Sequence, residues 1–444
     1  MLAKCLNMLL FLAAGAILGG CATPCDASRD ASERLCAPVS SITSAPLPAP
    51  RAAEPELEME MEAQPARAYD VASPDNAPLP DGYPSNNASV PPARSSAALV
   101  RIGLLLPLRS ETLGPPAQAL RAGFMAAYQR EPDGLIVSLI ETGSAAREVL
   151  ASYAQAQEQH DIIVGPLARA AVTALATSAL VRKPTIALNH PEGLAPASSD
   201  ALPPAMLMIG LSLEEEARQV AAWAANEQPQ ARAVIVTGGA PWQRRIAQAY
   251  AAECERFGLA TETVELSTLN GNLSDGELEQ LAARLQEGAS EAAPAMLLAA
   301  LDADQARQLR AVLGNRISLY GTSSLNPGLG HGPSAVELDG TRLLDLPWLL
   351  QPDHPAVMTY ARPEPARESE RNPDMERLYA LGIDAFRIAR EIALHPAARF
   401  ELDGVTGRLS VSFGQGPARF ERAGQAAIYE NGGLTPLSVP AGLR

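Results

Sequence analysis

The chain is poor in aromatic residues and almost without lysine. Phe, Tyr and Trp make up 4% of its 444 residues, so a core has to be built from Ala, Leu, Val and Ile. Lysine occurs only at Lys4 and Lys183, and arginine carries the positive charge. Acids outnumber bases by 50 to 35, a formal charge of −15. That balance argues against binding nucleic acid or an anionic membrane face through bulk charge. Cysteine is scarce, with five residues, and no Cys or His pair has zinc-site spacing. The histidines, His160, His190, His331, His354 and His395, are scattered, with no Asp or Cys at a telling distance. No nucleophile elbow, HExxH helix or phosphate loop is present. An enzyme is therefore not expected, and no cofactor or metal is called for.

The N-terminus carries the most informative pattern. Lys4 precedes an apolar stretch, Leu6 to Leu18, broken only by Asn7. Its length suits a secretory h-region and is too short to span a bilayer. Leu18-Gly19-Gly20-Cys21 follows and resembles a bacterial lipobox. The resemblance implies that residues 1–20 are a signal peptide and that Cys21 is lipidated and becomes the mature N-terminus. More than one acyl chain makes such an anchor stable. Ala22, rather than Asp, follows the cysteine, which by resemblance to the enterobacterial sorting rule favours the outer membrane, facing the periplasm. Loss of Lys4 with the signal takes the charge from −15 to −16. In an oxidising compartment, Cys25 and Cys36 either pair or stay free, whereas Cys254 reads as a small packed residue of a helix.

Residues 21–96 have a different composition. Thirteen of the 38 prolines fall between Pro24 and Pro92, and Glu54 to Glu62 alternates acids with apolar residues. The segment reads as a disordered, semi-extended tether. Fully extended in polyproline geometry it reaches on the order of 230 Å.

From 97 onward the sequence alternates strand and helix patterns. Ala98 to Leu108 is an apolar run suited to a strand buried on both faces, and Pro115-Pro116 suits a helix start. Ser144 is a candidate N-cap for the second helix. Strands are expected at 135–141, 161–167, 184–189, 233–237, 261–266, 295–300 and 317–320. Helices are expected between them, one of them Ala-rich and reaching about Val181. An acidic first turn, Glu214 to Glu216, opens the helix from Leu213. Leu338 to Trp348 reads as a strand stopped by a proline, and 375–394 as a long amphipathic helix. The tail, including 418–422 and 426–430, reads as a small antiparallel meander. The alternation predicts an α/β fold with mostly parallel sheets in two doubly wound lobes.

Several landmarks carry a further resemblance: Ile102-Gly-Leu-Leu-Leu-Pro-Leu108, Gly123-Phe124, Asp161-Ile-Ile-Val-Gly-Pro-Leu167, Pro184-Thr-Ile-Ala-Leu-Asn189, Asp345-Leu-Pro-Trp348, Arg377 to Phe386, and Gly404-Val-Thr-Gly-Arg-Leu-Ser410. In this order they resemble the C-terminal domain of LpoA-type penicillin-binding protein activators, itself of the type I periplasmic binding protein kind. The resemblance implies an outer-membrane lipoprotein that binds a class A penicillin-binding protein and activates peptidoglycan synthesis. The best-known relatives carry a helical-repeat domain before this one. Here 22–96 is too short and proline-rich for it, so reach falls to the tether. The alternative is a solute-binding lipoprotein of an ABC importer with an amino-acid-like ligand. A passive envelope spacer is a third class.

In such a fold, ligands bind beyond the carboxyl ends of the strands. The candidate cleft-lining residues are Pro107, Ser110, Thr142, Ser144, Gly165, Asn189, Gly238 and Ser323. The polar ones also read as caps and turn residues, and Ser324, Glu111 and Asp302 are further candidates. Trp242, with Arg244 and Arg245, is a candidate partner contact at a loop-to-helix entry, or a packed aromatic beside a solvated helix start.

Overall fold

The lobes are interleaved along the chain rather than strung one after the other. The computed structural model describes residues 99–192, 202–287, 295–328, 335–363, 372–397 and 399–438, all within one compact unit, Ala88–Arg444. Cys21, the 21–96 tether and the Cys25–Cys36 question lie outside the described residues, as does His331.

Lobe 1 holds a five-stranded parallel sheet in the order β2-β1-β3-β4-β5. The strands are β1 (Val100–Leu106), β2 (Leu135–Glu141), β3 (Ile162–Val164), β4 (Thr185–Ala187) and β5 (Met206–Met208). The apolar run of β1 is split by its pleat. Ile102, Leu104 and Leu106 join one core, and Leu105 joins a second core on the other face. Helices α2 (Ala146–Gln159) and α3 (Arg169–Ala176) cover that second face. The first face is covered by α1 (Gly114–Arg130) and by a helix from far along the chain, α10 (Pro373–Leu394).

The α1–α10 contact depends on two glycines. A Cβ on Gly123 would lie 1.9 Å from the Tyr379 carbonyl oxygen, and one on Gly382 2.0 Å from that of Leu120. With neither Cβ present, the backbones approach closely enough for Phe124 and Phe386 to meet edge to face, centroids 5.3 Å apart.

Lobe 2 comprises α4 (Leu213–Glu227), β6 (Arg232–Thr237), α5 (Pro241–Arg256), β7 (Thr261–Glu265), the hairpin β8 (Thr268–Leu269) and β9 (Asn272–Leu273), α6 (Asp275–Glu287), β10 (Ala295–Ala300), α7 (Ala303–Leu313), β11 (Leu319–Gly321) and β12 (Arg342–Asp345). Strand β6 alternates as β1 does. Ala233 and Ile235 face α4 and α5, while Val234 and Val236 face α6 and α7. Cys254 is buried in the first of these cores, and burial pushes its thiol up to about 12. It is the packed residue expected, with no thiolate at neutral pH.

After β12 the chain returns to lobe 1 through the short helices α8 (Pro347–Leu350) and α9 (Pro355–Met358), then α10 and an antiparallel sheet of β13 (Arg399–Asp403), β14 (Arg408–Ser412) and β15 (Arg419–Ala423). It then crosses back. Strands β16 (Gln425–Glu430) and β17 (Gly433–Pro436) complete the seven-stranded sheet, β17-β16-β12-β11-β10-β6-β7, with β16 antiparallel to β12.

The tail is therefore not one meander. Residues 419–423 belong to it, but 425–430 leave it for lobe 2, because the chain turns at Gly424 and pairs with β12. The Ala-rich helix ends at Ala176 rather than Val181. The Thr177 and Ser178 hydroxyls donate to the carbonyls of Thr173 and Leu175, ending the turn early. Ser144 is not a cap. The N-cap of α2 is Ala145, and Glu148 accepts the Gly143 N–H at 2.9 Å in place of a hydroxyl. Among the described residues no helix is long and apolar enough to cross a membrane.

Candidate functional site

Three crossings join the lobes: β5 to α4, β12 to α8, and β15 to β16. Where they meet, polar groups are buried that neither lobe could hold alone. Asp345, 1% exposed at the end of β12, faces Arg377 on the first turns of α10. Arg377 donates through Nε to Asp345 Oδ1 at 3.0 Å and through Nη2 to Oδ2 at 2.7 Å. Its Nη2 also reaches the carbonyls of Ser323 and Asn326, both at 3.1 Å, and Nη1 reaches Asp374 at 2.8 Å. Asn326 Nδ2 donates to Asp345 as well, at 2.8 Å. One guanidinium of lobe 1 thus grips a carboxylate and two carbonyls of lobe 2, a bidentate geometry that arginine fills and lysine does not. Burial opposes the Arg377 charge, but Asp345 outweighs it and the pKa is raised.

Glu216 on α4 sits beside this pair. It accepts the Ser323 N–H at 2.9 Å. Burial, and secondly the Asp345 carboxylate, push it up to about 7 against the Ser323 hydrogen bonds and Arg377. The folded chain therefore holds this proton more tightly than the unfolded chain does. The stability it contributes is complete below about pH 4.5 and is lost as pH rises through about 7. Glu216→Gln is expected to flatten the stability–pH curve over that interval and to raise stability at pH 8 by on the order of 1–3 kcal/mol. Urea melts at pH 5 and pH 8 measure it, and an unchanged difference between the two would refute the assignment.

Two cavities flank the crossings, and Glu216 lines both. The larger, about 600 Å³, opens between the lobes and has Trp242, Asp302, Ser323, Asp374 and Leu378 among its walls. The smaller, about 460 Å³, lies against β15 with His190, Ser212, Phe420 and Arg422 among its walls.

The strand-end residues named from sequence are largely engaged by their own backbone. Thr142 Oγ1 donates to the Leu106 carbonyl at 3.3 Å, and Asn189 Nδ2 to that of Leu167 at 3.1 Å. Ser110 Oγ accepts the Leu113 N–H at 3.2 Å, and the Ser110 N–H in turn reaches the Pro107 carbonyl at 3.1 Å. Gly165 sits so close to Leu105 that a Cβ would fall 2.2 Å from its carbonyl oxygen, and one on Gly238 would meet the Gln243 side chain at 2.4 Å. Ser323 does line the larger cavity, and both its backbone groups are used. Ser324 Oγ donates to the Leu301 carbonyl at 2.7 Å. Asp302 caps α7, accepting Gln305 N–H at 2.9 Å, and Glu111 is exposed.

Trp242 is half-buried, packed against the α4–α5 core with one side on the cavity. Arg244 makes a two-pronged pair with Glu265 at 2.9 and 2.6 Å, and Arg245 pairs with Glu214 at 2.8 Å. Among the described residues no cluster of His, Cys, Asp and Glu could hold a metal.

Sequence reading missed Glu216, Asp345, Arg377 and Arg422 as site residues. The first was read through the helix dipole alone. Asp345 and Arg377 were landmarks, but nothing in their spacing of 32 residues announces that they touch.

Two doubly wound lobes crossed three times, with a cleft and buried hinge between them, define a protein of the type I periplasmic binding protein kind. A family model described as "LppC putative lipoprotein" matches residues 93–432. The chain belongs to this family, which is that of LpoA. No curated protein matches it. Among solved structures, a "putative branched-chain amino acid ABC transporter" from Chromobacterium violaceum is 33% identical, over 74% of this chain and 100% of that one, with a TM-score of 0.57. The C-domain of Haemophilus influenzae LpoA, described as a regulator of PBP1A, is 19% identical over 76% of this chain and 100% of that one, TM-score 0.59. Full-length LpoA from the same organism matches over 77% of this chain but only 60% of its own length, at 21% identity and TM-score 0.60.

Proposed function

We propose that the chain is an outer-membrane lipoprotein, anchored through Cys21, that binds a class A penicillin-binding protein from the periplasm and raises its peptidoglycan synthesis. The family match over 93–432, spanning both lobes, carries this reading. The role of the LpoA C-domain as a regulator of PBP1A supports it. The mechanism is allosteric: docking biases the synthase toward its active state, and the gain cannot exceed the difference in affinity for its two states. No catalytic residue is assigned to this chain.

The rim around Trp242 is the first surface to test as the contact. Arg244 and Arg245 have intramolecular partners, so binding through them would have to replace Glu265 and Glu214. The solute-receptor reading is weaker, because the strand-end hydroxyls and amide that would hold an amino acid in the cleft are bonded within the protein.

The test is glycan polymerisation by the purified class A synthase of the same organism, with the soluble mature chain titrated in. The expected result is a saturable rise in rate that is lowered by Trp242→Ala. No change at saturating chain would overturn the proposal.

A further inference from the structure

The smaller cavity, against β15, is lined by an arginine whose direct hydrogen-bond partners are all uncharged. Arg422 reaches into the crossings from β15. Its Nη1 donates to the Gly210 carbonyl at 3.0 Å, its Nη2 to that of Ile209 at 2.7 Å, and its Nε to Thr406 Oγ1 at 3.1 Å. A guanidinium has five N–H groups, so two remain. No carboxylate pairs with Arg422 among the described residues, and the Phe420 ring lies 4.9 Å from its Cζ. Burial pulls its pKa down to about 10, so it stays charged at neutral pH. The carboxylates of Asp384, Glu216 and Glu215 act on this half-buried guanidinium without touching it.

Three of the four acids on the same walls have other partners. Asp345 is held by Arg377, Glu215 by Arg218 at 2.5 Å, and Glu216 by the Ser323 N–H. Glu421 is exposed to solvent. Arg419, also exposed, lines the cavity without an ion pair among the described residues. His190 donates Nε2–H to the Gly210 carbonyl at 3.1 Å, and burial lowers its pKa, leaving Nδ1 as an acceptor of the neutral ring. Partner accounting therefore leaves the two free N–H groups of Arg422, with Arg419 and Glu421 both exposed at the mouth, around a space of about 460 Å³.

We propose that this hinge cavity binds a small molecule or peptide end through a carboxylate, seated on the two remaining N–H groups of Arg422 with Arg419 at the mouth. The site is a different cavity from the one at Trp242, with Glu216 on the walls of both. Its chemistry is charge-assisted pairing of a planar anion with a guanidinium fork. The same carboxylate could belong to a free amino acid or to the end of a peptide, and the probes below separate the two.

The soluble mature chain is titrated calorimetrically with N-acetylalanine, alanine, alaninamide and N-acetyl-alanyl-alanine. N-acetylalanine is expected to bind saturably and alaninamide, which has no carboxylate, is not. Tighter binding of N-acetyl-alanyl-alanine assigns a peptide end, and tighter binding of alanine a free amino acid. Arg422→Lys keeps the charge but loses the fork, and is expected to weaken binding about tenfold or more. Arg419→Ala, on the surface and without folding risk, is expected to weaken it severalfold, and Trp242→Ala to leave it unchanged. Binding of none of the probes by the folded wild-type chain would overturn the proposal. So would equal binding of alaninamide, or loss of binding in Trp242→Ala with retention in the Arg422 and Arg419 variants, which would place the ligand in the cleft.

Discussion

Arg377→Ala is expected to lower the stability of the folded chain by about 3–5 kcal/mol, the range for breaking a buried pair by removing one partner. The loss is larger than the pair is worth. Asp345 is 1% exposed, and without the guanidinium it keeps only the Asn326 amide at 2.8 Å and the Leu346 N–H at 2.8 Å. The carbonyls of Ser323 and Asn326 lose their donor as well. Arg377→Lys should recover only part of the loss, since one ammonium cannot serve two carboxylate oxygens and two carbonyls together. Arg377→Met combined with Asp345→Asn should cost less than Arg377→Ala, because no bare charge remains. Urea melts of the four proteins measure this. An Arg377→Ala midpoint matching wild type would mean that Asp345 relaxes to water and that the clamp does not hold the lobes.

Asp384→Ala is expected to cost about 3 kcal/mol or more. Asp384 is fully buried on α10. It accepts Val405 N–H at 3.2 Å, Thr406 N–H at 2.8 Å and the Thr406 hydroxyl at 2.7 Å, with Arg387 at 3.2 Å. This is how the Arg377–Phe386 and Gly404–Ser410 landmarks meet: a helix carboxylate organises the turn before β14. Gly404 is needed there, since a Cβ would lie 2.6 Å from the Asp384 carboxylate. Thr406 Oγ1 also accepts from Arg422 Nε, so the loss should spread to the hinge. Hydrogen exchange should rise at 404–407 and at 422. Asp384→Asn, which keeps an acceptor, should fall between alanine and wild type. Faster exchange confined to the end of α10 would show that the turn stands without its carboxylate.

What the sequence revealed was governed by local periodicity. β2, α6, β10 and α7 stand where apolar spacing and caps put them. Strand β5 escaped because three residues, Met206 to Met208, are too few to show alternation, and the prolines before them read as loop. The destination of β16 escaped for another reason. Its residues are buried on both faces, Ala426 in one core and Ala427 and Tyr429 in another, and pairing with β12 rather than β15 is decided by tertiary contacts. The site was the least legible part. Thr142, Ser110 and Asn189 are polar residues at strand ends, the right type in the right place, yet local hydrogen bonds claim them. Arg422 looked like one more arginine of a strand. Its importance lies in the carbonyls of Ile209 and Gly210, more than 200 residues earlier, and no local spacing encodes that.

The return of β16 and β17 to lobe 2 also bears on how the protein is made. During synthesis, β12 emerges with one edge unpaired, and its permanent neighbour, β16, follows only after the whole of α10 and the three-stranded sheet. Lobe 1 has the same debt, since α1 waits for α10, some 240 residues behind it. Neither half can finish folding from the part of the chain that appears first, so completion of both lobes waits for the last third of the sequence. Until then the apolar face of α1 and the free edge of β12 are the surfaces open to wrong pairing.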